Sequence, residues 1–416
     1  MIRQTPRISS GGCRRPSRWR GRALAALSLL LLDCTSAALA AEDSRWPAIE
    51  ASARGQTVYF NAWAGDEAIN RYVGWVAQEV RREFGITLVH VKVTDIAETV
   101  TRVLAERAAG RRADGSADLL WINGENFASL KHAGLLWGPW ADRVPNAALI
   151  DSRGNPTTQI DFTVPTNGYE LAWGSAQFSL FYDSTAVSSP PREPGALLAW
   201  IQAHPGRFTY PRPPDFIGTS FLKQLLVLMV DDRGRLAKPV GADFEDVTRP
   251  VWEWLDHGRP SLWRHGRLYP ASSPALRELL ASGEVDWAFA FNPFEANRAM
   301  RRGELPANIR GTQFTGGALA NSHFLAIPFN ARSPNSAMVV ANFLLSPAAQ
   351  ARKADESVWG DPTVLAISSL TIIDQRRFTA LQRGPATPPT GPLILEPHGS
   401  WTIALQREWS RRYGLQ

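Results

Sequence analysis

The stretch Tyr169–Tyr182, YELAWGSAQFSLFY, sets the organisation of the whole chain. Trp173 and Gly174 lie at its centre, and apolar or aromatic residues alternate through its second half, as in a short β-strand. Turn-forming residues precede it at 165–168 and follow it at 188–191. Because α/β patterns lie on both sides, we predict a strand that connects two lobes. The same pattern also fits an ordinary core strand.

Strands and helices alternate before this stretch. Apolar runs predict strands at Thr57–Trp63, Ile86–Val93 and Asp118–Ile122. Apolar residues at three- and four-residue spacing predict helices between them, ending at Gly85 and Gly110. Such alternation with short loops predicts a parallel, doubly wound sheet. With 416 residues, the chain is long enough for two or three domains.

The alternation resumes after the stretch. We predict strands at Arg207–Tyr210, Val285–Phe291 and His323–Pro328. The pair Thr219-Ser220 has the residue types of a helix N-cap, which predicts an apolar helix over Phe221–Met229. One face of a C-terminal helix carries four large residues: Trp401, Leu405, Trp409 and Tyr413.

The first 40 residues have the pattern of an export signal. Residues 1–22 contain seven arginines and no acid, and an apolar run of ten residues follows at Ala23–Leu32. Ala38-Leu39-Ala40 then matches a small-x-small cleavage site. We therefore predict a signal peptide over residues 1–40, cleavage near Ala40 and localisation in the periplasm.

Without this leader the chain is electrically balanced. The leader holds seven of the 45 basic residues and one of the 39 acidic residues, which leaves 38 of each sign. The sequence pI of about 9.6 therefore reflects the leader, and no nucleic-acid partner is expected. Both cysteines, Cys13 and Cys34, also lie in the leader. Asp33 replaces the small residue of a lipoprotein cleavage box, so we expect no lipid anchor at Cys34.

Several loops combine aromatic rings with hydrogen-bonding groups. They follow predicted strands at 61–66, 121–127 and 292–295, and the segments 215–220 and 321–323 are similar. Ligands of open α/β sheets bind beyond the carboxyl ends of strands, and this mixture suits a small ligand in a cleft. Carboxylates beside aromatic rings favour an amine or another cation. The predicted cleft residues are Trp63, Asp66, Asn123, Glu125, Phe127, Trp173, Asp215, Thr219, Asn292 and Asn321.

We expect Trp63, Phe127 and Trp173 to stack on the ligand, the acids to pair with positive charge, and the amides and Thr219 to fix its orientation. Each residue type also has a structural explanation. Tryptophans can fill a core, Asp66 and Asp215 can cap helices, and Asn292 can stabilise a turn before proline. By the same reasoning, His323 fits a packed histidine better than a ligand contact.

Sequence motifs for catalysis are absent. The chain contains no G-x-S-x-G, G-x-x-x-x-G-K or G-x-G-x-x-G motif, and its seven histidines are scattered without a metal-binding spacing. We therefore predict no catalytic residues, no metal and no cofactor. A secreted hydrolase with a carboxylate pair, such as Asp66 and Glu295, is the alternative function.

Four segments of the second half form a recognisable set: Ala281–Ala288 (ASGEVDWA), Leu325–Pro328 (LAIP), Ala341–Gln350 (ANFLLSPAAQ) and Arg207–Tyr210 followed by Gly218-Thr219. In these segments the chain resembles the periplasmic solute-binding proteins of ABC importers. The resemblance covers most of the chain from about Thr57 to about Thr363. Three further strings resemble a YnjB-type subgroup, near the thiamine and polyamine binders: FNAW at 60–63, WINGENF at 121–127 and VWGDPT at 358–363.

This resemblance implies a type II periplasmic-binding-protein fold of class α/β. Each of two lobes would hold a five-stranded mixed sheet flanked by helices, with the ligand cleft between them. By analogy, lobe 1 comprises residues 41–172 and 302–346, and lobe 2 comprises 173–301 and 347–416. The opening stretch would then be a lobe crossing, with hinge bending near Gly168 or Gly174.

The implied function is the exported substrate-binding component of an ABC transporter, which is not an enzyme. It would capture a small polar solute, cationic and similar to thiamine or a polyamine, and deliver it to a membrane permease driven by a separate ATPase. The protein would act as a monomer. With seven tyrosines and none adjacent to another, the chain lacks the clustered tyrosines of iron-binding relatives.

Overall fold

The computed structural model describes residues 46–414. The predicted signal peptide, its cleavage near Ala40 and Cys34 all lie outside the described residues. From Ile49 onward the chain forms one compact unit. None of the helices in the described part is long and apolar enough to cross a membrane.

Thirteen α-helices and eleven strands occur between residues 46 and 414. The helices are α1 Trp46–Ala53, α2 Glu67–Phe84, α3 Ala97–Ala108, α4 Glu125–His132, α5 Pro194–Ala203, α6 Phe216–Met229, α7 Phe244–Gly258, α8 Ser273–Ala281, α9 Glu295–Arg301, α10 Pro334–Leu344, α11 Pro347–Ala354, α12 Ile372–Thr379 and α13 Gly399–Tyr413. The strands are β1 Thr57–Trp63, β2 Thr87–Val93, β3 Leu119–Ile122, β4 Ile160–Asp161, β5 Val164–Pro165, β6 Glu170–Gln177, β7 Ser179–Asp183, β8 Trp287–Ala290, β9 Ile309–Thr312, β10 Ala318–Ala326 and β11 Leu393–Leu395.

The larger sheet has six strands of mixed direction. Its order is β11-β10-β3-β1-β2, and β6 pairs with β10 outside this path. The pairs of β1 with β2 and β3 are parallel, which agrees with the prediction for the first third of the chain. β10 runs antiparallel to β3 and β6 and parallel to β11. This late strand therefore joins segments that are far apart in the sequence.

The second sheet contains β8, β7 and β9 in that order, and both pairs are antiparallel. It is smaller than the five-stranded mixed sheet that the resemblance implies. The strand predicted at Arg207–Tyr210 is absent. Its backbone bonds to other segments only at single points, where Asp286 N donates to Arg207 O and Trp263 N donates to Phe208 O. The buried side chains of Phe208 and Tyr210 produced the strand-like pattern.

The opening stretch contains two strands that belong to different sheets. β6 lies in the larger sheet and β7 in the smaller one, separated by the buried Phe178. β6 and β10 pair along most of their length, and their register shifts between His323 and Phe324. Because His323 pairs with Gly174 and Phe324 with Ala172, Trp173 is the extra residue of a bulge. The prediction of a strand in this stretch is therefore confirmed.

Helix caps explain several boundaries. Gly85 ends α2 with a φ of 68°, as predicted for a left-handed cap. The predicted cap at Thr219-Ser220 is wrong, because α6 begins at Phe216, five residues before the predicted start, and Asp215 Oδ1 accepts hydrogen bonds from Ile217 N and Gly218 N. The predicted buried face of α13 is confirmed, since all four of its large residues are buried.

The segment around α11 packs against elements of the first third of the chain. Tyr72 Oη on α2 donates a hydrogen bond to Ala349 O over 3.1 Å, and Asp151 N donates to Val364 O over 2.8 Å. After α12 the chain returns to the larger sheet, where β11 is the edge strand beside β10.

Candidate functional site

A cavity of about 600 Å³ lies between loops that follow the strands of the two sheets. The larger sheet contributes the loops after β1, β2 and β3. Around the smaller sheet, the loop after β8, the start of α6 and the start of α8 contribute. We call β6 and β10 the crossing strands, because β6 leads into β7 of the smaller sheet and β10 follows β9 of that sheet. Both supply part of the wall. Open α/β sheets bind their ligands beyond the carboxyl ends of the strands, which is where this cavity lies.

Five of the ten predicted residues line this cavity: Trp63, Asp66, Asn123, Asn292 and Asn321. They come from three loops and one crossing strand, so the structure brings together residues that are far apart in the sequence. Asn292 also stabilises the turn before Pro293, because its Oδ1 accepts from Phe294 N while its Nδ2 donates to Gly360 O.

The other five predicted residues lie outside the lining. Phe127 and Trp173 are fully buried, so the structure places them in the core rather than against a ligand. Asp215 caps α6, and Thr219 is buried within that helix, where its hydroxyl accepts from Gln406 Nε2. Glu125 is exposed in the first turn of α4. These five residues lie near the predicted segments, but the structure directs their side chains into the core, into a helix cap or to the surface.

The lining also contains polar residues that were not predicted: Arg277, Glu295, Arg298, His323 and Asp361. Glu295 lies in the predicted loop 292–295 and was named in the alternative catalytic pair, but it was not among the ten predicted cleft residues, and His323 was assigned to packing. Asp361 lies in the VWGDPT string, which was the available signal for it. Arg277 lies on α8, whose composition is ordinary. It joins the site because Glu295, the first residue of α9, lies within ion-pair distance of it in the folded chain.

An ion-pair network crosses the cavity. Arg298 Nη2 lies 2.6 Å from Asp66 Oδ2, and Arg298 Nη1 lies 3.5 Å from Glu295 Oε2. Arg277 Nη1 lies 2.9 Å from Glu295 Oε1. Burial raises the pKa of Asp66, but the hydrogen bond and charge of Arg298 outweigh burial and lower that pKa below its ordinary value. Asp66 also caps α2 by accepting from Ala68 N, so its capping and charge-pairing roles coexist.

Two large aromatic side chains in the lining are exposed. The exposed fraction is 42% for Trp63 and 51% for Phe216. Phe216 packs on Phe291, with ring centroids 5.1 Å apart. Exposed rings at the wall of a cavity can stack on a flat or cationic ligand.

A buried charged cluster lies behind another part of the wall. Asp361 forms an ion pair with Lys353 and a contact of 3.1 Å with His323 Nε2. The Lys353 side chain is fully buried, and its ammonium group lies 5.6 Å and 5.5 Å from the ring centroids of Trp173 and Trp359. Burial lowers the pKa of Lys353. Burial raises the pKa of Asp361, but Lys353 and His323 lower it overall.

The site has the character of a binding cleft. Within residues 46–414, no group of three or more histidine, cysteine, aspartate or glutamate side chains could hold a metal ion. Asp66 and Glu295 both contact Arg298, and the hydrogen bond and charge of Arg298 lower the pKa of Asp66, which disfavours Asp66 as a proton donor. Aromatic walls with fixed amide and charged groups instead suit reversible capture of a small polar molecule.

Comparisons with known proteins agree with this assignment. Residues 75–371 match the model of a family described as bacterial extracellular solute-binding protein. The chain is 46% identical to Protein YnjB of Escherichia coli (strain K12) over 377 residues, which cover 90% of this chain and 96% of that protein.

Two solved structures illustrate the fold. The spermidine/putrescine ABC transporter substrate-binding protein PotD of Streptococcus pneumoniae superposes with a TM-score of 0.58 at 13% identity, covering 85% of this chain and 99% of that one. The periplasmic binding protein AfuA of Actinobacillus pleuropneumoniae, solved with fructose 6-phosphate, gives a TM-score of 0.53 at 13% identity, with coverage of 87% and 100%.

These relatives confirm the type II periplasmic-binding-protein fold, and they overturn the hydrolase alternative because the family consists of transport proteins rather than enzymes. Membership also implies export from the bacterial cytoplasm and contact with a small-molecule ligand. The chain belongs to the bacterial extracellular solute-binding protein family.

Proposed function

We propose that this protein captures a small organic cation, similar to thiamine or a polyamine, in the cavity between its sheets. The observation that carries the proposal is the lining. Among the described residues it holds four carboxylates, two guanidinium groups and the two exposed rings of Trp63 and Phe216. An excess of negative charge and exposed π-faces both favour a positively charged solute.

The distribution of charge supports the same conclusion. Arg277 and Arg298 balance Asp66 and Glu295 within one network. Lys353 balances Asp361 from behind the wall. The remaining carboxylate is Asp95, which is exposed and caps α3 through one oxygen, where it accepts from Ala97 N. It leaves a net negative charge at the entrance to the cavity.

The delivery step extends the family assignment. We propose that the protein is released by cleavage near Ala40 and acts as a monomer. Once loaded, it would dock on a permease whose transport is driven by a separate ATPase. Closure of the cleft on the solute would bend the crossing strands β6 and β10. The ion pair between Asp66, after β1, and Arg298, on α9, supports this proposal because it already joins the two walls.

The proposed lobes keep the division at residues 41–172 with 302–346 and 173–301 with the C-terminal part. Two boundaries are revised. The pairing of β9 with β7 in the smaller sheet supports assigning residues 302–312 to lobe 2. The hydrogen bonds of Ala349 and Val364 with Tyr72 and Asp151 support assigning residues 347–366 to lobe 1.

A thermal-shift screen tests the ligand class. A solute that binds only the native state raises its stability by RT ln(1 + [L]/Kd). We expect a saturable rise in melting temperature with thiamine, spermidine or putrescine, and no rise with fructose 6-phosphate. A rise with the sugar phosphate alone would overturn the cation proposal.

Two variants that each remove one carboxylate test whether the cation binds in this cavity. Glu295→Gln removes a carboxylate from the lining, whereas Glu125→Gln removes an exposed carboxylate outside it. We expect the affinity for the cation to fall in Glu295→Gln and to stay unchanged in Glu125→Gln. Equal affinities in the two variants would place the solute elsewhere.

A further inference from the structure

His323 occupies an unusual place at the junction of the cavity and the crossing strands. Its side chain lines the cavity and is 17% exposed, while its partner Asp361 is only 3% exposed. It lies on β10 at the register shift, opposite Gly174 of β6. The ring of Trp121, which also lines the cavity, packs against it at 5.1 Å in an edge-to-face arrangement.

The buried cluster determines which histidine nitrogen carries a proton. Asp361 is ionised because the Lys353 ammonium is bonded to its Oδ2. A carboxylate can only accept hydrogen bonds, so His323 Nε2 must donate to Asp361 Oδ1 across 3.1 Å. One carboxylate already balances one ammonium. With the proton of Nε2 directed at Asp361, Nδ1 is the nitrogen that remains available as an acceptor in the uncharged ring.

The orientation of the ring directs that nitrogen away from the cluster. A Cβ atom built on Gly174 would lie 2.7 Å from His323 Cδ2, so the Cδ2 side of the ring faces the crossing strand. Nε2 on the same edge is occupied by Asp361. In an imidazole ring, Nδ1 lies on the opposite edge from Cδ2. Among residues 46–414, the hydrogen bond of the His323 ring is made by Nε2 with Asp361, and Nδ1 takes no part in it.

We propose that His323 is a specificity-determining residue of the cleft, whose unprotonated Nδ1 accepts a hydrogen bond from an N–H group of the solute. Asp361 and Lys353 are positioning residues that hold the tautomer. An anionic oxygen at the same point would place two acceptors together, so the site selects N–H donors over anions. The proposal deepens the proposed function and rests on it for the charge of the solute.

Histidine side-chain ¹⁵N spectroscopy tests the tautomer without any ligand. The signals that disappear in His323→Phe assign this residue. We expect the chemical shift of an unprotonated nitrogen at Nδ1 and of a protonated one at Nε2. Saturation with whichever of thiamine, spermidine or putrescine binds should move the Nδ1 signal toward that of a hydrogen-bonded acceptor. A protonated Nδ1 in the free protein, or an Nδ1 signal unchanged at saturation, overturns the inference.

Affinity measurements test the role in selection. His323→Phe keeps a ring against Trp121 but removes both nitrogens, and it should weaken cation binding at least tenfold. His323→Asn places an amide oxygen near the position of Nδ1 and should recover part of that loss. His132→Asn, at an exposed position on α4, is the matched control and should bind as the unmodified protein does. Unchanged affinity in His323→Phe overturns the inference.

The positioning role needs a variant that stays folded. Asp361→Asn alone would leave Lys353 buried without its counter-charge, so we pair it with Lys353→Met. In this double variant we expect protonation of Nδ1 to appear in the ¹⁵N spectrum and affinity to fall. An unchanged tautomer would show that Asp361 does not set it. If no cation binds the unmodified protein while Nδ1 is unprotonated, the proposed function fails and the tautomer assignment stands.

Discussion

Two residues in the cavity expose aromatic rings that a folded protein usually covers. Trp63 ends β1 and Phe216 begins α6, so the rings come from elements packed on different sheets. Lys223 lies 5.8 Å from the Phe216 ring centroid and leaves it half exposed. Their exposure in the free protein is consistent with surfaces that a solute covers.

We expect Trp63→Ala and Phe216→Ala each to weaken binding of the cognate cation about tenfold, because ring stacking and cation–π contacts contribute about 1–2 kcal/mol. Melting temperatures should change little, since neither ring is buried. Isothermal titration calorimetry measures the first effect and calorimetric unfolding the second.

Ile372→Ala provides the control for these substitutions. Ile372 is 69% exposed on α12 and does not line the cavity, so its removal should leave affinity unchanged. A loss of affinity as large as that of Trp63→Ala would show that the effect is not local.

The sequence was informative about loops and less informative about side-chain direction. Trp63 and Trp173 both sit beside small residues in strand-like segments, and both were predicted to stack on a ligand. The bulge at Trp173 changes the alternation of β6 and turns that ring into the core, beside Lys353. A bulge depends on the partner strand β10, which lies about 150 residues later, so local pattern could not reveal it.

Among the secondary-structure elements, the crossing strand β6 is constrained at Gly174. Hinge bending was predicted near Gly168 or Gly174. The structure gives a packing reason for glycine at 174, since a Cβ there would overlap Asp361 Oδ2 and lie 2.7 Å from His323 Cδ2 and 3.0 Å from Lys353 Nζ. Close approach of the charged cluster to the backbone therefore requires the absence of a side chain.

Gly174→Val should lower both stability and affinity. Overpacking typically costs about 1–3 kcal/mol of unfolding free energy, and displacement of His323 would disturb the proposed solute contact. Urea unfolding and titration with the cation measure the two effects. A variant that loses affinity at full stability would favour a pure hinge role, and an unchanged variant would contradict both roles.

Helix α6 offers a test of the same kind with an internal control. A Cβ on Gly218 would overlap the carbonyl oxygen of Pro211, whereas a Cβ on Gly74, in the middle of α2, would contact nothing within 4 Å. We expect Gly218→Ala to lower the unfolding free energy by about 1–3 kcal/mol. Gly74→Ala should raise it by about 0.5–1 kcal/mol through helix propensity. If urea unfolding gave the same change in unfolding free energy for Gly218→Ala and Gly74→Ala, the steric explanation for Gly218 would be contradicted.

Most helices and strands of this chain follow from local pattern. The helix α2 was predictable from its buried stripe and its terminal Gly85. The start of α6 was not, because Asp215, Thr219 and Ser220 all have capping side chains and only the folded backbone distinguishes them. Arg207–Tyr210 has the alternation of a strand but lacks a partner strand in the structure.

At the scale of the whole molecule, two buried carboxyl groups make stability depend on pH. Asp161 Oδ1 and both carboxylate oxygens of Glu170 are buried without a hydrogen-bond partner among the described residues. Burial and the charge of Glu396 raise the pKa of Asp161 to about 8, against the bond from Gly124 N. Burial and Asp161 raise the pKa of Glu170 well above its ordinary value, although Lys131 lowers it.

These groups favour the folded state at low pH. Below the ordinary aspartate pKa of 3.8, the Asp161 carboxyl is protonated in both states. As pH rises from about 4 to about 8, the unfolded chain has lost this proton and the folded chain retains it, so the Asp161 contribution to unfolding free energy decreases and then levels off.

We expect Asp161→Asn to melt at a higher temperature than the unmodified protein at pH 8 and to show a smaller difference at pH 5. An amide cannot ionise, and its oxygen can still accept from Gly124 N. Asp231→Asn, an exposed position, should show no pH-dependent difference. If the difference in melting temperature between Asp161→Asn and the unmodified protein were the same at pH 5 and at pH 8, the raised pKa of Asp161 would be contradicted.

The overall topology was only partly predictable. Alternating strands and helices gave the parallel part of the larger sheet, and family resemblance gave its mixed character. The place of β10 between β3 and β11 depends on pairing between residues near 120, 320 and 394. Such distant pairing leaves no mark in local periodicity.

The late position of β10 has a consequence for folding during synthesis. A chain that is made from its N-terminus presents β1, β2, β3 and β6 long before residues 318–326 arrive. Until then β3 and β6 lack their shared neighbour, and the larger sheet cannot close on a partial chain. Strand order thus postpones folding until most of the chain has emerged. It also leaves unpaired strand edges that need protection from aggregation at the moment of arrival.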